Sequence, residues 1–372
     1  MRLLFYVFMV VVVFFVIIVL PAAAQIPTFD KPFDVIPHDQ PGDTGEHYFH
    51  GPATIVVENG DLLVTTAWGG SHGHGIGKIV QTRSTDGGKT WQYEGVIYDH
   101  GEKIPGGSCY NPDYGLAPDG SIILMVQTTS IKALGKGEKA GFTGYVYLIS
   151  TDHGRTYEYK GFVDPDEPQN VESIPSPIIA RNGTLHFVSF SYEAGVLLYT
   201  SQNNGRTWKK RSSVFHYHEL SPVFYPTLTF LPDGSLYVMV QQIAPDWEER
   251  NYVTISRDDG ITWDTPRFIE GISVRHPVLN WLGDVLVVHG RHTPLQDVVI
   301  HYSFDNGSTW TPGQIIEDYD TDGGYSSSVF FNNRLFICFS SDNWQQPPQT
   351  DMDTDRINGI RGVFVTPHKT VK

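Results

Sequence analysis

The 372-residue sequence predicts an all-β fold, a six-bladed propeller of four-stranded antiparallel blades, on three observations. First, the motif Ser-x-[Asp/Asn]-x-Gly-x-Thr-[Trp/Tyr] occurs five times, at Ser84–Trp91, Ser150–Tyr157, Ser201–Trp208, Ser256–Trp263 and Ser303–Trp310. The copies start 66, 51, 55 and 47 residues apart, and a period near fifty residues signals stacked or radial sheet units. Second, an X-Pro step and a tight-turn pair precede each copy at regular offsets. Third, no long stretch carries the 3.6-residue apolar period of an amphipathic helix.

Each box reads as a turn between two strands. Its Ser hydroxyl and its Asp or Asn can bond nearby backbone N–H groups. Its Gly supplies a positive φ, and its closing aromatic is an apolar body to bury between neighbouring sheets. A group repeated five times is a structural staple, so Asp86 and its counterparts are not candidates for chemistry.

In chain order, the units open at His50-Gly51-Pro52, Tyr110-Asn111-Pro112, Pro175-Ser176-Pro177, Phe224-Tyr225-Pro226 and Arg275-His276-Pro277. Their turns fall at Asn59-Gly60, Asp119-Gly120, Asn182-Gly183, Asp233-Gly234 and Gly283-Asp284, read as two-residue hairpins. A sixth unit opens at Gly324-Tyr325-Ser326, turns at Asn332-Asn333 and has no box. It lacks a fourth strand of its own, which Phe33–Pro37 could supply to close the ring. Full radial repetition leaves only short, protected strand edges.

The N-terminus reads as a targeting signal. Arg2 precedes an apolar run from Leu3 to Leu20, and Pro21-Ala22-Ala23-Ala24-Gln25 supplies small residues for cleavage after Ala24. Residues 1–24 are thus expected to be a signal peptide and 25–372 one propeller domain, secreted or periplasmic. An uncleaved anchor is the alternative, because 18 apolar residues is long for a signal core. The formal charge of −15 argues against a nucleic-acid partner. Two cysteines, Cys109 and Cys338, make neither a disulfide framework nor a metal motif. A monomer with no membrane contact beyond the leader is expected.

Five such boxes on six units resemble the sialidase (neuraminidase) superfamily of six-bladed propellers, over about residues 45–366. In such sialidases three arginines hold the substrate carboxylate, a Tyr primed by a Glu is the nucleophile, and an Asp is the acid. The resemblance matches Tyr325, opening blade six, to that Tyr, and Arg291, ending blade five's second strand, to one arginine. Elsewhere the sequence departs. His50 stands where the first Arg is expected, Gln241-Gln242 where the second is, and Tyr225-Pro226 where the Glu is. The blade-one loop Gly69–Gly77, where the Asp belongs, contains no acid.

Topology alone selects a mouth. The start of each blade's first strand and the end of its second lie at one rim, since the two strands are antiparallel neighbours. The candidate residues there are His50, His72, His74, Tyr110, Asn111, Tyr225, Gln241, Arg275, His276, Arg291 and Tyr325. Arg291, with Arg275, can pair with a carboxylate. His50, His72, His74 and Tyr325 can exchange protons near neutral pH, and His276, Tyr225, Gln241, Tyr110 and Asn111 would contact substrate. This set suits β-elimination at a uronic acid, as a lyase or dehydratase acting on acidic glycans. A glycosidase with Tyr325 as nucleophile and a non-catalytic glycan-binding propeller are the alternatives. No cofactor is expected. His50 with His72 and His74 could take zinc, but the loop is glycine-flanked and no Cys or acid completes the set.

Overall fold

The structure is a computed structural model that describes residues 26–37, 48–69, 77–130, 141–164, 177–191, 194–215, 223–243, 249–292, 297–318, 323–341 and 358–367. The leader and the His72/His74 loop lie outside them. Five sheets are four-stranded antiparallel meanders in sequence order. Blade one runs Tyr48–Val56, Leu62–Gly69, Lys78–Ser84 and Gln92–Tyr98, and the next four repeat the pattern. The sole helix among the described residues is a single 3₁₀ turn, His100–Glu102.

Blade six closes the ring with both ends of the chain. Its own strands are Ser326–Phe331, Arg334–Ser341 and Gly359–Thr366. The last pairs along its outer edge with Phe33–Ile36, as the sequence suggested, and also with Thr28–Phe29, which the sequence reading did not anticipate. The two short segments act in tandem as one broken fourth strand.

The boxes sit between the third and fourth strands and share one hydrogen-bond pattern. In the first, Ser84 Oγ donates to Asp86 Oδ1 at 2.9 Å and accepts from Gly88 N at 2.8 Å. Asp86 also accepts from the Lys89 and Thr90 N–H groups and from the Thr90 hydroxyl. Asn203 reproduces the pattern in blade three, with its Nδ2 donating to Thr207 Oγ1 at 2.9 Å.

Each box glycine abuts the preceding blade. A Cβ at Gly88 would lie 2.8 Å from the Phe364 ring, at Gly154 2.6 Å from Leu63, and at Gly205 2.4 Å from Ile123. At Gly260 it would lie 2.2 Å from Leu198, and at Gly307 2.7 Å from the Tyr237 hydroxyl. Positive φ and absent side chain are therefore both required at these five positions. The core follows the same logic: six apolar clusters each fill one seam between successive blades. The seam between blades five and six has no box. There Arg361 pairs with Glu317 and Asp34 and donates to Pro32 O at 3.0 Å.

The turns correct the sequence reading in part. Asn182-Gly183 and Asn332-Asn333 have positive φ at both positions, the two-residue geometry that matches strand twist. In blades one, two and four the loops hold three residues, Glu58-Asn59-Gly60, Pro118-Asp119-Gly120 and Pro232-Asp233-Gly234. There Val57, Ala117 and Leu231 close the ladder with Asp61, Ser121 and Ser235. Pro at the first loop position of blades two and four pre-sets φ for a type I turn, and only the Gly enters the left-handed region.

Gly260→Ala is expected to lower unfolding stability by about 2 kcal/mol or more, by positive φ and overpacking together, in urea denaturation. The Thr262 hydroxyl and N–H, its largest influences, hold the Asp258 carboxyl down at about 2. Its contribution is thus present above the unfolded carboxylate value and fades as pH falls towards 2. Asp258→Asn should fold as the Asn203 box does and flatten the melting temperature's decline between about pH 4 and 2.

Candidate functional site

The inner strands of blades one, two, four and five all begin with a bulge at the X-Pro step, where their pairing register with the second strand shifts. The residue before each Pro lies in the left-handed region: Gly51 at φ 62°, Asn111 at 43°, Tyr225 at 51° and His276 at 53°. In blade six the left-handed residue is Gly324, at φ 82°, one ladder position earlier and directly before Tyr325. Bulges re-aim side chains, and here they turn the chain at the axis. Glycine accepts this conformation freely and Asn tolerates it. For bulky Tyr225 and His276 it costs on the order of 1–3 kcal/mol each, a strain typical of ligand clamps and active sites.

These turned residues meet. Tyr325, 4% exposed, is touched by the ring of His50 at 3.9 Å between centroids and by the ring of His276 at 4.3 Å, both edge-on. Tyr225 stacks on the other side of His276 at 3.6 Å. The guanidinium of Arg291 lies over the Tyr325 ring at 4.8 Å, a cation–π contact. Arg275 stands directly opposite Arg291 in the ladder. Four rings from blades four, five, six and one thus form a continuous chain across the mouth. Gln241, fully buried, fixes the approach of His276 by accepting its backbone N–H at 3.2 Å.

Blade two supplies the facing wall. Asn111 donates to Gln127 Oε1 at 2.7 Å, and its own Oδ1 would lie 2.9 Å from any Cβ at Gly51. Tyr110 packs into the seam between blades one and two. His72 and His74, and with them the alternative zinc set, fall outside the described residues. Beneath the mouth, His289 bonds Ser326 Oγ and Ser328 Oγ through its two ring nitrogens, each at 2.8 Å. Burial pushes its pKa down to about 3, so the ring is neutral across the physiological range.

One acid escaped the sequence reading. Asp113, one residue past the blade-two Pro, is buried and lines a small axial cavity with Tyr225, His276, Ser326 and Ser327. Burial drives its carboxyl well above the ordinary range, against a single hydrogen bond from Tyr114 N at 2.7 Å. The signal was available: a lone carboxylate inside an inner strand, at a position where other blades place Ala53, Ile178, Thr227, Val278 and Ser327.

A model of the BNR repeat-like domain matches residues 60–337. The chain belongs to the BNR repeat-like family. Its six-bladed ring has the propeller fold of the sialidases to which it is similar. Among solved structures, it is similar to a Dyadobacter fermentans protein of unknown function at 20% identity and a TM-score of 0.73, covering 92% of this chain and 100% of that one. It is similar to the Hadza microbial sialidase Hz136 at 18% identity and 0.68, covering 92% and 69%. A leech intramolecular trans-sialidase complexed with 2,7-anhydro-Neu5Ac follows at 11% identity and 0.64, covering 90% and 70%. At these identities the likeness shows the shared BNR propeller fold. No curated protein sequence matches the chain.

Tyr325→Phe should leave the ring chain and the melting temperature essentially unchanged. Tyr325→Ala should cost about 3 kcal/mol in chemical denaturation, because it opens a cavity among His50, His276 and Arg291.

Proposed function

We propose that this BNR propeller is an extracytoplasmic enzyme acting on acidic saccharides, by β-elimination at a uronate residue. The observation that carries the reading is the Tyr325 phenol held between two imidazoles under the Arg291 guanidinium. A sugar carboxylate entering the mouth would pair with Arg291, aided by Arg275, against the negative background of the chain. Neutralising the carboxylate acidifies the proton at C5. Tyr325 or His50 removes that proton, the C4–O bond breaks, and a C4=C5 double bond forms in conjugation with the carboxylate. The departing oxygen takes a proton from His276. A glycosyl leaving group makes the enzyme a lyase, and a hydroxyl makes it a dehydratase. The signal-like N-terminus supports placing the domain in the secreted or periplasmic space.

A second reading is favoured by the positions of Tyr325 and Arg291, which match the sialidase pattern, and by the sialidases among the similar structures. In it Tyr325 attacks the anomeric carbon as the glycosidic C–O bond breaks and the departing oxygen takes a proton, and water then hydrolyses the covalent glycosyl-tyrosine. Incubation with uronate-bearing and sialylated oligosaccharides separates the two. Elimination yields an ultraviolet-absorbing unsaturated sugar, whereas hydrolysis yields a new reducing end without absorbance and a trappable adduct on Tyr325. Under the first reading, Tyr325→Phe should lower kcat by about 10²-fold or more. Arg291→Lys should mainly raise KM, by about tenfold, since a point charge replaces a planar fork. Release of saturated sugar alone would overturn elimination.

A further inference from the structure

We propose that Asp113 is a neutral carboxylic acid that supplies protons to His276 through one water in the axial cavity. This deepens the elimination and hydrolysis readings by giving the mouth a proton store, and it rests on them for its catalytic arm.

The geometry begins at the axis. Pro52, Pro177, Pro226 and Pro277 bring four blades together there, and Asp113 enters the same cavity from blade two. The cavity is about 20 Å³, enough for a single water and too small for a sugar. Asp113 therefore acts through another group and never touches the glycan. His276 and Tyr225 line the cavity and also belong to the ring chain, so it joins the acid to the mouth.

The protonation state follows from the surroundings. An ionised carboxylate this deeply buried needs a cation or several donors. Among the described residues, no Lys or Arg pairs with Asp113, and the hydrogen bond it accepts is from the adjacent Tyr114 N–H. The titratable groups facing the cavity are His276 and Tyr225. Cys338 of blade six is buried close by, and burial pushes its thiol upward, so it is neutral as well. The strands packed on either side contribute Pro52 and Ile178, which are apolar. None of these holds a permanent positive charge, and burial alone already drives the carboxyl upward.

The proton count closes. His276 gives an N–H proton to the departing oxygen and is reprotonated by the cavity water, which takes the Asp113 proton. The proton lifted from the substrate by Tyr325 or His50 passes to solvent at the mouth, and Asp113 regains one from solvent through His276 and the cavity water before the next turnover. No oxidant, reductant or metal enters.

The test uses the intact protein and begins without substrate. Infrared spectra in D2O at neutral pH should show a protonated-carboxyl C=O band in the wild type that is lost in the near-isosteric Asp113→Asn. Nitrogen NMR of His276 should show little change in its titration midpoint in Asp113→Asn, since one neutral group replaces another, but a changed tautomer balance. An absent band overturns the proposal. So does a large drop in the His276 midpoint, which would mean an ionised Asp113 paired with a charged imidazole. So does a melting temperature raised by sodium or calcium ions in the wild type and not in Asp113→Asn, which would make the cavity a cation site. Where the wild type turns over a glycan, Asp113→Asn should lose 10²-fold or more in kcat, with KM within threefold and the basic limb of the kcat profile displaced. Unchanged turnover overturns proton supply. A wild type inactive on every glycan overturns the enzymatic readings, while the tautomer of His276 still decides whether Asp113 reaches it. Asp113→Ala, melted alongside, separates loss of packing from loss of the proton.

Discussion

The fold depends on the contact between each box glycine and the face of the blade before it. Every box places a backbone where a Cβ would collide with Phe364, Leu63, Ile123, Leu198 or Tyr237. The Ser and Asp of the box hold that backbone by bonding its N–H groups, so local turn chemistry and long-range packing converge on one residue. The seam clusters then bury their apolar side chains at a spacing the boxes have set. The centre of the ring is left to the inner strands, where prolines meet polar and aromatic residues.

Backbone strain is concentrated where four inner strands bend into the axis. A bulge before proline throws one residue per blade into the left-handed region, and the neighbours hold it there. Gly51 and Asn111 meet the requirement at low cost. Tyr225 and His276 meet it at a price that the surrounding rings must offset. The consequence is pre-organisation: Tyr325, His50, His276, Tyr225 and Arg291 are locked together by ring contacts before any ligand arrives.

Much of this was legible in the sequence. The five boxes marked five blades and their order, because Ser, Asp, Gly and Thr at those spacings have one economical backbone conformation, and the opening and turn of the last unit marked the sixth. The X-Pro steps located the mouth, because antiparallel neighbours share a rim. Loop length was less legible. Asn-Gly serves a three-residue loop in blade one and a two-residue turn in blade three, so the pair alone does not set the length. Asp113 was not legible because the mouth pattern lies in the residues before each proline, whereas the cavity beneath is lined by residues at and after it. Thr28–Phe29 was missed because a two-residue strand has no periodicity to read.

The joining of first and last segments in blade six bears on the order of assembly. The bond from Arg361 to Pro32 O spans 329 positions. Pairings of such separation pay the largest loop-closure entropy and form late. During synthesis, five sheets can stack into an open crescent while Phe33–Ile36 has no partner. Only when Gly359–Thr366 emerges can the crescent snap shut, so the mouth, which draws His50 and Tyr325 from the two sides of that gap, is the last part of the molecule to exist.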